Sequence, residues 1–200
     1  NDELKLSNSI INKYNKAVEK RAKKEPVAYI VGKKEFWSND FTVNDSTLIP
    51  RPETELLVDY VVKNFKDTIK VLDAGTGSGC IGISIALKKS NFKVYGSDFS
   101  KNALDVASIN KSKLNVGNYF LVNANWLSCF KNESFDLILS NPPYIAENDS
   151  HLDNLIHEPK IALTSSEAGL SDIKKIIQES SKILKGGGLL IIEHGYNQED

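Results

Sequence analysis

Asn141-Pro142-Pro143-Tyr144 is the segment whose residue types point most directly to chemistry. Two prolines fix the backbone and remove two N–H donors. What remains are carbonyl acceptors and the Asn141 side-chain oxygen. Such a turn is suited to accept hydrogen bonds from a planar NH₂ group, and Tyr144 offers a face on which a planar group can stack. An amide or aromatic-amine nitrogen is a poor nucleophile because its lone pair is delocalised. Two acceptors gripping its hydrogens, Asn141 Oδ1 and the Pro142 carbonyl, would align it for attack and stabilise the positive charge that develops on nitrogen. No strong general base is required, and the sequence offers no obvious one. The competing reading is a plain proline turn that ends a strand.

A second segment supplies a ligand cradle. Val71-Leu72-Asp73-Ala74-Gly75-Thr76-Gly77-Ser78-Gly79-Cys80 follows a strand pattern and opens a helix pattern. Glycines let the backbone turn tightly and let a ligand approach, while the helix N-terminus presents free N–H groups. Gly77 to Gly82 matches G-x-G-x-x-G literally, but in the wrong register, because the first glycine after the strand is Gly75. Asp73 would repel a pyrophosphate. It suits a cationic ligand without phosphates, such as S-adenosylmethionine, whose methyl–sulfonium bond is the one an aligned nitrogen would attack. Asp98 ends the next strand, 23 residues after Gly75, where an acid accepts hydrogen bonds from ribose hydroxyls. A Gly-rich turn with a helix-capping Asp is the alternative. Trp126 lies where an aromatic could pack on an adenine, or else anchors the core. His151, His157 and His194 have no ligand spacing, so no metal is expected.

The elements that must position these residues follow from periodicity. Ile10, Ile11, Tyr14, Ala17 and Val18 recur at helical spacing, predicting a helix over about 4–24 that Pro26 ends. Glu35–Trp37 and Phe41–Val43, split by Ser38-Asn39-Asp40, read as a hairpin. Pro52 suits the first turn of a helix running to about 65. Then come strand 69–74, helix 80–88, strand 93–97, helix 101–112, strands 119–123 and 135–140, helix 170–184 closed by Gly186-Gly187-Gly188, and strand 189–193. Strands alternating with helices predict an α/β fold with a parallel sheet covered on both faces.

Composition bounds the function class. Lys and Arg number 25 against 26 Asp and Glu, a net charge of −1, which excludes a chain held to nucleic acid by bulk charge alone. Residues 13–34 hold eight basic and two acidic residues, whereas 132–159 hold six acidic residues and no Lys or Arg. Two cysteines, Cys80 and Cys129, exclude a disulfide scaffold; both are expected free and mostly buried. No apolar run is long enough to span a membrane, and the first residues lack the apolar core of a signal peptide. The expected compartment is the cytoplasm. Methionine is absent, so a piece of a longer chain is expected.

Together these residues resemble the class I S-adenosylmethionine-dependent methyltransferases, and within them the peptide chain release factor glutamine N5-methyltransferases. The resemblance is carried by Glu25-Pro26-Val27-Ala28-Tyr29-Ile30-Val31-Gly32, Glu35-Phe36-Trp37, Leu48-Ile49-Pro50-Arg51-Pro52-Glu53-Thr54-Glu55, the glycine loop, Asn141 to Ile145, Glu158-Pro159 and Glu193-His194-Gly195. It implies a Rossmann-like parallel sheet with helices on both faces, preceded by a helix and a small β-hairpin. It divides the chain into 1–33, the remnant of an N-terminal helical substrate-docking domain; 34–50, a hairpin linker; and 51–200, the methyltransferase domain. It implies cofactor contacts at Gly75, Thr76, Gly77, Ser78, Gly79, Asp98, Trp126 and Asn141. Asn141, Pro142 and Tyr144 become the candidate catalytic residues. Asn141 to Tyr144, with Arg51 and Glu53, become the candidate substrate contacts. The implied substrate is the Gly-Gly-Gln glutamine of class 1 release factors, met by a monomer without nucleic acid or membrane.

The chain departs from the family pattern in three places. Asn125 stands where the family usually has Asp before the tryptophan. The family has a longer N-terminal helical domain, of which residues 1–25 are expected to be only the last part, and its sheet has two more strands, an antiparallel pair expected after the fifth. A nucleic-acid amino-methyltransferase could use the same Asn-Pro-Pro-Tyr turn, but its recognition surface should be basic. A non-catalytic binding module is disfavoured by the intact Asn141 and glycine loop.

Overall fold

A computed structural model describes residues 7–199. Helix α1 (Asn8–Ala22) is capped by Ser7, whose hydroxyl accepts from the Ile10 N–H. The helix buries none of its residues, so its basic run is solvated; the part expected at residues 4–6 lies outside the described residues. Pro26 ends the helical pattern as expected, but it also caps a five-residue helix, α2 (Val27–Val31), too short for periodicity to reveal.

The hairpin, β1 (Lys33–Phe36) and β2 (Asn39–Thr42), pairs Phe36 with Asn39. Its turn is therefore Trp37-Ser38, not residues 38–40. Both turn residues have positive φ (47° and 63°), the primed-turn geometry that matches strand twist. A tryptophan resists that conformation. Here its N–H donates to Glu55 Oε1 and its Nε1–H to Asp59 Oδ1, each at 2.9 Å, and these bonds hold it. Regular helix α3 (Glu55–Asn64) begins three residues after Pro52. Thr54 N–H donates to the Arg51 carbonyl and Glu55 N–H to Pro52, at 3.2 and 3.1 Å, an i→i+3 turn that leaves Thr54 buried.

The remaining elements alternate: β3 (Lys70–Ala74), α4 (Cys80–Lys88), β4 (Lys93–Asp98), α5 (Lys101–Lys113), β5 (Tyr119–Asn123), β6 (Phe135–Ser140), the short pair β7 (Ile145–Ala146) and β8 (Thr164–Ser165), a single turn α6 (Ser166–Gly169), α7 (Ser171–Ile183) and β9 (Leu184–Ile192). The main sheet is parallel throughout, in the order β5-β4-β3-β6-β9. Period-two alternation sorts its side chains. Val71, Leu137 and Leu139 pack with α3, α4 and the hairpin's Phe36 and Phe41. Leu72, Ala74 and Ile138 pack on the other face with Ile176 and Ile183 of α7. This is the Rossmann-like sheet, covered on both sides.

Two expectations need correcting. Gly186-Gly187-Gly188 does not close the last helix; the glycines lie inside β9, where the register with β6 shifts between Phe135 and Leu137. A glycine run accommodates such a bulge because it carries no side chains to misalign. Cys80 is buried but Cys129 is exposed, since it falls in a turn region after β5 rather than in the core.

Candidate active site

The C-terminal ends of β3, β4, β5 and β6 converge, and the candidate residues of the sheet lie at these ends or just beyond them. After β3 the chain turns so that the Gly75 and Thr76 N–H groups both donate to the Ser97 carbonyl at 2.9 Å. Asp73 is fully buried beneath this loop. Its Oδ2 accepts from the Thr76 hydroxyl and, at 3.0 Å, from the Gly82 N–H of α4. Thr76 has given its proton to Asp73, so the Tyr119 hydroxyl, 2.6 Å away, donates to Thr76. Tyr119 reaches this position across Gly96, where any Cβ would collide with its hydroxyl. Burial pushes the Asp73 carboxyl up to about 6, against the pull of its two donors. Asp73 is thus a brace under the cradle and does not line it.

A cavity of about 390 Å³ opens above the loop, lined by Gly75, Thr76, Gly77 and Ser78 but not Gly79. Asp98 forms one wall. Its Oδ2 accepts from Gly77 N–H at 2.9 Å and its Oδ1 from Ser100 N–H at 2.8 Å, while burial raises its pKa. Each oxygen keeps lone-pair capacity for a ligand hydroxyl. Trp126 also lines the cavity, with its ring edge against Gly75, where an added Cβ would lie 3.0 Å from the ring. The Asp172 carboxylate of α7 fixes that ring, accepting from Nε1–H at 2.9 Å. Asn125 Oδ1 accepts from Lys175 Nζ at 2.9 Å, so an α7 lysine occupies the acceptor that the family's usual Asp would also present.

These residues fit an adenosyl sulfonium ligand. Of the cavity's cationic side chains, Arg51 is paired with the Glu158 carboxylate, whereas Lys175 bonds only the neutral Asn125 amide and keeps its charge. Ser78 and Ser97 line the cavity, and among the described residues their buried hydroxyl oxygens meet no hydrogen-bond partner. With Asp98 they offer polar groups to a ligand that brings hydroxyls and positive charge.

A second cavity, about 490 Å³, adjoins the first. Leu48, Arg51, Asn141, Pro143 and Ala162 line both, so the two spaces meet at the proline turn. Pro142 and Tyr144 face only the second. Asn141 Nδ2 donates to Thr54 Oγ1 at 3.0 Å. Among the described residues no donor reaches Asn141 Oδ1 or the Pro142 carbonyl, whereas the Tyr144 carbonyl accepts from Gln198 Nε2 at 3.0 Å. The two acceptors singled out from sequence are both left unspent among the described residues. Tyr144 donates to Glu193 Oε1 at 3.3 Å, and burial with the adjacent Glu193 charge pushes its phenol up to about 12.

Arg51 lines both cavities but spends its charge on buried Glu158, at 2.6 Å. Glu158 Oε2 also accepts from Ile49 N–H. Glu53 is exposed and lines neither cavity. Sequence reading missed Asp172, Gln198 and buried Asn110, which ties the Ser78 carbonyl to the hairpin strand β2, and it named Glu158 without assigning it a role. Each meets its partner 30 or more residues away along the chain, so no local spacing marks it.

Comparison with known proteins bears on this geometry. A family model described as a methyltransferase domain matches residues 65–200. The release factor glutamine methyltransferase of Coxiella burnetii is 40% identical, over 99% of this chain and 72% of that protein. The enzyme of the same name from Buchnera aphidicola subsp. Schizaphis graminum is 44% identical, over 100% of this chain and 73% of that protein. Among solved structures, coclaurine N-methyltransferase bound to N-methylheliamine and SAH matches with a TM-score of 0.53 at 17% identity, over 94% of this chain and 52% of that one. A SAM-dependent methyltransferase from Agrobacterium tumefaciens gives 0.58 at 16% identity, over 83% and 53%. These structural likenesses carry the fold alone, and this chain spans about half of each.

Proposed function

The chain belongs to the release factor glutamine methyltransferases, and from that membership we propose that it transfers a methyl group from S-adenosylmethionine to a release-factor glutamine. The nitrogen methylated is the side-chain amide of the glutamine in the Gly-Gly-Gln motif. The observation that carries this reading is the meeting of two cavities at Asn141 and Pro143, with two unspent acceptors beside the junction.

Bound S-adenosylmethionine supplies an electrophilic methyl group and leaves as a neutral thioether. The residues of this chain do the rest. Asp98 takes the ribose hydroxyls, and Trp126, set by Asp172, forms the wall for the adenine. Asn141 Oδ1 and the Pro142 carbonyl accept from the glutamine NH₂, and Tyr144 stacks on its amide plane. These bonds strengthen as nitrogen turns positive, so they favour the transition state over the ground state, and the methylated nitrogen then releases one proton to solvent to give the neutral N-methyl amide. Asp73 acts through the loop it braces. Arg51 shapes the junction through Glu158. Glu53, on the exposed turn before α3, is left as a contact for the release factor itself. Residues 1–33 serve as a docking segment ahead of the hairpin at 34–50, and residues 51–200 carry the chemistry. The relatives favour glutamine over a nucleic-acid base as acceptor.

A ligand titration tests the site. With S-adenosylhomocysteine bound, a Gly-Gly-Gln peptide should shift the Asn141 side-chain and Tyr144 resonances, and Gly-Gly-Glu at equal concentration should not. Equal shifts from both peptides, or shifts only elsewhere, would contradict the assignment.

A further inference from the structure

The proton inventory around Asn141 carries one step further. An amide side chain is nearly symmetric, and only one of its two orientations presents an acceptor to the substrate. Thr54 Oγ1 has one proton. It goes to Glu193 Oε2, 2.7 Å away, because an ionised carboxylate can only accept. Thr54 can then meet Asn141 only as an acceptor, so Asn141 must turn Nδ2 toward it, at 3.0 Å, and Oδ1 toward the junction. Glu193 is itself fixed from its other oxygen by the Tyr144 hydroxyl at 3.3 Å. Thr54 is 2% exposed, so water does not compete for its hydroxyl. The network joins residues 54, 141, 144 and 193, brought together from α3's leading turn, the proline turn and the end of β9.

We propose that Thr54 and Glu193 are positioning residues that set the orientation of the Asn141 amide, and that the hydroxyl proton between them decides which end of that amide faces the substrate. The proposal rests on the methyltransferase reading above. Removing the hydroxyl leaves Asn141 free to rotate, and an inverted amide offers a donor to a group that brings only donors. Removing Glu193 releases the Thr54 proton to Asn141 Oδ1, which favours the inverted orientation.

The test pairs a structural readout with a kinetic one, on the full chain saturated with S-adenosylhomocysteine or S-adenosylmethionine. In wild-type protein a side-chain amide proton of Asn141 should exchange slowly with solvent. Thr54→Val should speed that exchange about tenfold or more, and Thr54→Ser should keep it slow. This readout needs no turnover, so it decides the positioning role even if release-factor methylation fails. In single-turnover methylation of a glutamine peptide, Thr54→Val should lower the rate about tenfold to a hundredfold, with the peptide KM and the S-adenosylhomocysteine Kd within about threefold. Thr54→Ser should rescue the rate. In an Asn141→Ala background, Thr54→Val should cost less than about twofold, since nothing is left to orient. Exchange unchanged by Thr54→Val would overturn the proposal. So would a rate loss that persists in full without Asn141.

Discussion

Asn141 can use its oxygen on substrate only because its nitrogen is spent on Thr54. Asn141→Ala removes one acceptor aimed at developing charge, and the single-turnover rate should fall about 10²–10³-fold. Asn141→Asp is the sharper change. It keeps an acceptor, but sets a carboxylate oxygen against Thr54, whose proton is already given to Glu193. It also places negative charge near the sulfonium ground state, which opposes catalysis. Asn141→Asp should be impaired, with cofactor affinity within about tenfold of wild type; full activity would contradict the role. Asp98 belongs to the cofactor. Asp98→Ala should weaken S-adenosylhomocysteine binding in calorimetry by charge-assisted bonds of about 1.5–3 kcal/mol each, and leave peptide affinity nearly unchanged. An unaltered dissociation constant would remove Asp98 from the site.

At the scale of the element, the glycine loop depends on what lies under it. Asp73 titrates at about 6 in the fold against 3.8 ordinarily, because burial disfavours its charge. Its folded pKa is raised, so its contribution to stability is complete below pH ~4 and is lost as pH rises through ~6. Asp73→Asn has no proton to lose. Relative to wild type, the variant should therefore gain stability steadily between pH 4 and 6.5 in urea denaturation. Parallel stability curves would show that Asp73 carries no such strain. The loop was legible in the sequence because its glycines follow a strand and open α4 within ten residues. The brace was not, because Tyr119 reaches Thr76 from β5, 43 residues away, and nothing local announces the meeting. The long strands and helices of the sheet were read from periodicity, although β9 begins at Leu184 and not at 189. The Trp37-Ser38 turn was misplaced because bonds to Glu55 and Asp59 override the local dislike of tryptophan for positive φ. The proline turn was placed correctly, since two prolines constrain the backbone whatever surrounds them.

Across the whole molecule, the site is held together by contacts between distant segments. Arg51 and Glu158 are 107 residues apart, and their side chains are 31% and 3% exposed. Arg51→Ala strands a buried carboxylate, whereas Glu158→Ala leaves an arginine that water can partly reach. Arg51→Ala should therefore destabilise more, by a few kcal/mol against a smaller loss, when the two are compared by denaturant unfolding. The reverse order would mean that the Ile49 N–H bond to Glu158 outweighs the charge pair. Helix α1 stands apart from both cavities. The central claim is the identity of the acceptor. Its most direct measurement is incubation with methyl-labelled S-adenosylmethionine and, in parallel, a class 1 release factor, the same factor with its Gly-Gly-Gln glutamine replaced by glutamate, and a stem-loop RNA. Label should enter only the first, on the side-chain nitrogen of that glutamine. Label in the RNA, or equal label in the glutamate version, would contradict the account.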